Sequence, residues 1–231
     1  NSDKEGRPHD WMIVALSGSR SKIPDLNPEA HFITEGEEWR SVPNSRNIEP
    51  GSVFDLSFLN DAPAGKHGRV VIRNGRYEFE RLPGKAVRFN GTNVCFTAAF
   101  PDRAEAERMA KHFAMLGYNA IRFHHQDFYM EPRHSTKLDP DAMDKLDYFF
   151  FCLKKEGIYV TTDLHAHRFT ENKIPGLSGW YYIGAYRALA LKHEGARRDW
   201  ERFARNFLTH VNPYTKTAYK DDPALISLCL L

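Results

Sequence analysis

Apolar positions in this chain change rhythm near residue 86. Before it the alternation is that of strands. After it, strand-like runs alternate with helical stripes. Residues 1 to about 50 carry Pro8, Pro24, Pro28, Pro43 and Pro50 and little periodicity, although Trp11, Ile13, Val14, Leu16 and Trp39 form patches suited to packing. From Val53, the apolar residues Phe54, Leu56 and Phe58 alternate with Asp55 and Ser57, which predicts a half-buried strand. The runs Arg69 to Arg73 and Arg76 to Glu80 flank Asn74-Gly75. Asn-Gly suits the positive φ angles of a type I′ turn, so these runs predict a hairpin. Pro83-Gly84 predicts a second turn, followed by the run Ala86 to Phe89.

Two helices then stand out. Asp102, with Glu105 three residues on, has the spacing of a capping box. Met109, Phe113 and Leu116 give an apolar stripe, and Gly117 ends it. The strand Asn119 to His125 follows. In the next unit Asp139 caps a helix with Pro140 at its first position, where the missing N–H costs nothing. Met143, Leu146, Phe150 and Leu153 form its stripe, Gly157 stops it, and the strand Ile158 to His165 comes next. The two stop glycines lie 40 residues apart, as in a repeating βα unit of a parallel α/β fold. Helical patterns recur at Ile183 to Lys192 and Arg197 to Val211, and Leu225 to Leu231 reads as a buried parallel strand.

Composition narrows the class. With 42% hydrophobic and 27% charged residues in 231, the chain is globular in type. A net charge of +2 gives no electrostatic reason to expect a nucleic acid or membrane partner. No apolar run approaches the roughly 20 residues that span a bilayer. Cys95, Cys152 and Cys229 have no short spacing and sit among apolar residues, so they read as buried thiols.

The candidate chemistry lies where strands end. By alternation, Ile121 and Phe123 face the helices while Arg122 and His124 face the opposite side. Likewise Val160 and Leu164 face out, and Thr161, Asp163 and His165 face in. A plain barrel core favours branched apolar residues at such places, and parallel α/β folds carry their sites at the carboxyl ends of strands. Bland readings stand beside the functional ones. Arg122 can be a structural arginine paired with Asp163, His124 and His125 ordinary loop histidines, His165 a helix contact, and Trp180, Tyr181 and Tyr182 packing rather than a sugar-stacking platform.

Four motifs in order carry a resemblance to known proteins. GKAVRFNGTNVCF resembles the first strand of clan A glycoside hydrolases, and LGYNAIRFHH their second, with its inward arginine. GIYVTTDLH is similar to their third strand, and NPYTKTAYKDDPALISLCLL to the approach to their fourth, which ends in Asn-Glu. The likeness is to the cellulase- and mannanase-type family 5 and related agarase- or galactosidase-like barrels, over roughly residues 68 to 231. It implies an α/β fold, the N-terminal half (strands 1–4) of a (β/α)8 TIM barrel, preceded by an irregular and β-hairpin segment. The domains expected are an extension at 1–85 that packs on the barrel and the half-barrel at 86–231.

The resemblance also implies a retaining glycoside hydrolase acting on a β-linked polysaccharide or oligosaccharide, secreted or periplasmic, with no cofactor and no metal. It gives Arg122 and His165 supporting catalytic roles. Asn93, His124, His125, Asp163, His167, Trp180 and Tyr181 are the expected substrate-binding residues. Retaining enzymes use two carboxyl groups about 5–5.5 Å apart. In clan A these end strands four and seven. If Ser227, Cys229 and Leu231 face in, the first such carboxylate is expected two residues past Leu231. A whole barrel takes about 250 residues, against 146 from Ala86 onward. The expectation is therefore a fragment lacking both catalytic carboxylates, with the C-terminal half of the barrel as its possible partner.

Two other readings remain open at this stage. The first is a metal-dependent hydrolase with zinc ligands from His165-Ala166-His167, His124, His125, Asp127 and Asp163. The second is a non-catalytic carbohydrate-binding module in the residues before 86, around Trp11 and Trp39.

Overall fold

The computed structural model describes residues 36–37, 39–40, 47–164, 168–169, 174–177, 180–181 and 183–230. Two compact units divide the chain, residues 1–46 and 47–231. In the first, the Gly36 N–H donates to the Trp39 carbonyl at 2.8 Å.

The second unit opens with a small antiparallel sheet. Strand β1 (Val70–Arg73) pairs with β2 (Arg76–Phe79), which pairs with β3 (Leu82–Ala86). Asn74 and Gly75 take φ of 50° and 72°, the left-handed pair that a type I′ turn requires. The second turn differs from expectation. It falls at Glu80–Arg81, and Pro83-Gly84 lies inside β3 at a register shift. The Gly84 N–H donates to the buried Glu78 carboxylate at 2.8 Å, which absorbs the irregularity.

The parallel core follows. β4 (Gly91–Cys95) leads through a 3-10 turn at Phe96–Ala99 into α1 (Arg103–Met115) and β5 (Ala120–His124). The short α2 (Asp127–Met130) and the long α3 (Pro140–Lys155) lead to β6 (Tyr159–Asp163). A two-stranded ribbon, β7 (Arg168–Phe169) with β8 (Trp180–Tyr181), leaves that strand end. Then come α4 (Ile183–Lys192), α5 (Glu194–Thr209), the ribbon β9 (Val211–Asn212) with β10 (Thr217–Ala218), and β11 (Leu225–Cys229). The sheet order is β11-β6-β5-β4, all parallel. The first sheet strand begins at Gly91 rather than Ala86, since Val87–Asn90 form a connection.

Local capping explains the helix bounds. The Asp102 carboxylate accepts from the Glu105 N–H and the Asp139 carboxylate from the Ala142 N–H, both at 2.8 Å. Gly117 and Gly157, each at φ 77°, turn the chain out of α1 and α3.

One apolar core lies between the sheet and its helices. Ile121, Phe123 and Val160 meet Leu146, Phe149, Phe150 and Leu153 of α3 and Phe203 and Phe207 of α5. On α1 the buried stripe is Ala106, Ala110 and Ala114, whereas Met109 and Phe113 are half-buried and Leu116 is exposed. Met109 and Phe113 pack against the same core beside the alanines, whose small side chains let the helix approach closely.

Residues 53–59 correct the expected strand. Phe54 and Phe58 are exposed, and a 3-10 turn forms at Ser57–Leu59. The Asp55 carboxylate accepts from the N–H groups of Gly51 (2.8 Å) and Ser57 (3.0 Å), and this local bonding outcompetes an alternation five residues long. The same segment closes the lower end of the sheet. The Leu56 N–H donates to the Met115 carbonyl (2.9 Å) and the Ala64 N–H to Lys154 (2.8 Å). Asn60 Nδ2 donates to the carbonyls of Tyr118 (3.0 Å) and Glu156 (3.3 Å). The Met115, Lys154 and Glu156 carbonyls belong to the ends of α1 and α3, where helical N–H partners run out, and Tyr118 follows the Gly117 turn. Phe79 stacks on Tyr159 at 5.4 Å, so the hairpin sheet covers that end too.

Candidate active site

The register of the parallel sheet assembles the site. Asn93 pairs with Arg122 and Arg122 with Thr161, Cys95 pairs with His124, and Cys229 with Asp163. The neighbours Val94, Ile121, Phe123, Val160 and Thr162 are buried against the helices. By alternation the first set faces the other side of the sheet. Asn93 and Ser227 are exposed there, and Arg122, His124 and Thr161 are half-exposed.

Asp163 is the hub. Its side chain is 1% exposed, and its Oδ1 accepts from Arg122 Nε at 3.1 Å and Nη2 at 2.8 Å. Its Oδ2 accepts from His124 Nδ1. With a carboxylate at Nδ1, the imidazole carries its proton there when neutral, and Nε2 becomes an acceptor. The buried charge is thus balanced by Arg122, whose side chain keeps 37% of its surface exposed. The structural pairing of Arg122 with Asp163 and an outward role for Arg122 are compatible, because one edge of the guanidinium binds the carboxylate and the side chain still meets solvent. Asp163 is enclosed by its two partners and acts on them.

A second layer fixes the hub. Gln126, fully buried, donates from Nε2 to Thr162 Oγ1 (2.6 Å) and to the Asp163 carbonyl (2.8 Å), tying the end of β5 to the end of β6. Its Oε1 is buried without a hydrogen-bond partner among the described residues. Periodicity ends at His124 and gives no signal for this residue. Beyond the strand ends, His125 stacks on Phe96 with ring centroids 4.8 Å apart and planes 9° apart. The His124 and His125 centroids are 3.6 Å apart. The expected site residues Asn93, Arg122, His124, His125 and Asp163 are therefore brought together. Trp180 and Tyr181 form β8, in the connection that leaves the carboxyl end of β6. His165, His167 and Tyr182, with Trp11, lie outside the described residues. Among the described residues no group of three or more His, Cys, Asp or Glu is placed to hold a metal ion.

A parallel sheet with helices packed on it and charged groups at its carboxyl ends is an arrangement found in part of a (β/α)8 barrel. Residues 81–226 match the family described as Cellulase (glycosyl hydrolase family 5), and the chain belongs to that family. Among solved structures it is similar to the endo-1,4-beta-mannanase from Rhizomucor miehei, with a TM-score of 0.53 at 15% identity over 71% of this chain and 48% of that one. It is also similar to a mutant of the family 5 mannosidase from Rhizomucor miehei in complex with mannosyl-fructose. There the TM-score is 0.52 at 16% identity, over 70% of this chain and 48% of that one. The chain spans about half the length of these structures. A comparison with curated protein sequences gave no match. The fold class and the family 5 likeness read from the four strand motifs are thereby shown.

Proposed function

We propose that residues 47–231 form one wall of the substrate cleft of a retaining glycoside hydrolase that cuts β-linked polysaccharides or oligosaccharides. The observation that carries this reading is the Arg122–Asp163–His124 cluster at the carboxyl ends of β5 and β6, in a chain of family 5. Arg122 and His165 are supporting residues. The guanidinium supplies a fixed positive charge that orients a neighbouring carboxylate nucleophile and favours its ionised, attacking form. Asn93, His124, His125, His167, Trp180 and Tyr181 line the pocket, and Asp163 sets the geometry of Arg122 and His124.

Among the described inward-facing strand positions the carboxylate is Asp163, and both its oxygens are engaged. We place the acid/base and the nucleophile on strands other than these four, a reading that the engagement of both Asp163 oxygens supports. The mannan-related names of the similar structures favour β-mannans or manno-oligosaccharides as first substrates to test. A secreted or periplasmic location suits an enzyme acting on β-linked structural polysaccharides, which lie in and beyond cell walls, and among the described residues no helix is long and apolar enough to cross a membrane.

The test is hydrolysis of β-1,4-manno- and cello-oligosaccharides by the protein that carries this chain, with product anomers read by NMR. Retention of configuration with Arg122→Ala strongly impaired is expected. Inversion, or full activity in Arg122→Ala, rejects the assignment. Residues 1–231 alone are expected to bind such sugars without cutting them.

A further inference from the structure

We propose that Gln126 is a positioning residue for the site. Its buried side-chain amide replaces a missing sheet hydrogen bond at the end of β6, and so fixes the direction in which Asp163 holds Arg122 and His124. The inference rests on the glycosidase reading above and deepens it.

The need for such a residue comes from where β5 ends. His125 follows β5 at φ 59°, so the chain turns away one residue past His124. β6 runs on to Asp163, while the last register pair between the two strands is Phe123 with Thr162. Beyond that pair, the peptide joining Asp163 to Leu164 is bonded on one side by β11, where the Leu164 N–H donates to the Cys229 carbonyl at 3.0 Å. The N–H and C=O of a strand peptide point to opposite neighbours, so the Asp163 carbonyl faces the place that β5 has left. A carbonyl buried there without a donor costs free energy comparable to a lost hydrogen bond. Gln126 Nε2 supplies the donor at 2.8 Å.

The amide is matched to this task. Gln126 is fully buried, and its two amide hydrogens meet two acceptors, the Asp163 carbonyl and Thr162 Oγ1 at 2.6 Å. A carbonyl only accepts, so it must face the Nε2 end, which fixes the orientation of the amide. The residue is anchored from behind as well. Gln126 is the N-cap of α2, its own carbonyl accepts from the Tyr129 and Met130 N–H groups at 3.0 and 3.2 Å, and Met130 is wholly buried in the core.

The consequence reaches the charged cluster through one rotatable bond. The peptide group is planar. Held by β11 on one side and Gln126 on the other, it sets ψ of Asp163 and with it the direction of the Asp163 side chain. That carboxylate binds Arg122 through Oδ1 and His124 Nδ1 through Oδ2. Gln126 thus acts on both partners without a hydrogen bond to either. An apolar residue of similar volume fills the same space but leaves the strand end free to rotate.

The experiment compares the protein that carries this chain with its Gln126→Leu, Gln126→Met and Thr162→Val variants, each checked for folding by circular dichroism. Long-range proton–nitrogen NMR spectra report which nitrogen of the neutral His124 ring carries the proton. Steady-state kinetics on mannohexaose and cellohexaose separate kcat from KM. The parent is expected to hold the proton on Nδ1. The folded Gln126 variants are expected to lose that preference and to lower kcat about tenfold or more, the scale on which small misplacements act, with KM within about twofold of the parent. Thr162→Val keeps the bond to the Asp163 carbonyl and is expected to match the parent in both readouts. A parent-like His124 spectrum in the Gln126 variants overturns the proposal, whatever kcat does, and so does a changed spectrum with parental kcat. A Thr162→Val variant equal to Gln126→Leu overturns it too, because loosened packing is then the cause. A parent that cuts neither sugar rejects the glycosidase reading, and the His124 spectra then still decide whether Gln126 positions the cluster.

Discussion

The Arg122 guanidinium donates twice to one oxygen of Asp163, from Nε at 3.1 Å and Nη2 at 2.8 Å, across the pairing of two neighbouring parallel strands. The acceptor is buried and the donor is partly open to solvent. This asymmetry sets what each substitution does.

Asp163→Asn presents an amide N–H where Arg122 or His124 now finds an acceptor. A lost charged hydrogen bond costs about 1.5–3 kcal/mol, and exposure of Arg122 places the outcome at the low end. Urea denaturation should show a loss of about 1–2 kcal/mol, and oligosaccharide binding should weaken more than it does in Arg122→Lys. An unchanged midpoint would show that the cluster contributes nothing to the fold.

Gln126→Leu removes the amide that ties Thr162 to the Asp163 carbonyl. It also removes an acceptor, Oε1, that has no hydrogen-bond partner among the described residues. Two neutral bonds contribute about 0.5–1.5 kcal/mol each, and the orphaned acceptor offsets part of this. A net loss of about 1–2 kcal/mol is expected. Adding Thr162→Val should cost less in the Gln126→Leu background than alone, because the hydroxyl has then already lost its donor. Strict additivity in that cycle would contradict the pairing.

Lys154, partly exposed, pairs with the wholly buried Asp222 carboxylate at 2.7 and 2.8 Å and holds the end of α3 against the approach to β11. Lys154→Met leaves a wholly buried carboxylate with the Ala224 N–H as its remaining donor in this group. Breaking such a pair from one side costs about 3–5 kcal/mol. The double variant with Asp222→Asn should recover part of that loss in thermal or urea unfolding. A double variant less stable than Lys154→Met would refute the account.

Alkaline stability follows from buried neutral groups. Burial pushes the Cys152 thiol from 9.0 up to about 11. Burial likewise raises the Tyr159 and Tyr219 phenols above 10.0. In each, the folded state prefers the protonated form. Its contribution is complete below the unfolded pKa and is lost as pH rises through the folded one. Stability should therefore be level up to about pH 9 and fall above it, with Cys152→Ala flattening the slope between about 9 and 11. Denaturation midpoints across that range give the answer, and a slope unchanged by the substitution would remove Cys152 from it.

The sequence by itself determined the features whose physics is local. Asn74-Gly75 makes its turn because two adjacent residues accept positive φ. Asp102 and Asp139 start α1 and α3 because each carboxylate reaches an N–H three residues on, and Gly117 and Gly157 end them. Strand alternation was enough to place Arg122 and Asp163 on one side of the sheet, since the period of two is fixed by the backbone. Where local chemistry competed with periodicity, the alternation misled. Asp55 bonds its own neighbours and leaves Phe54 and Phe58 exposed, and a register shift folds Pro83-Gly84 into β3.

Only the tertiary structure decided how deep each position of α1 sits, with Ala106, Ala110 and Ala114 fully buried and Met109 and Phe113 packed beside them, because small residues allow close approach to elements distant in sequence. It alone made Asp163 a buried hub, gave Gln126 its task between two strand ends, and laid Phe96 on His125. Each of these is a contact between residues brought together by parallel register. The crossover helices separate those residues by 29 to 41 positions in the sequence, and no local pattern spans that distance.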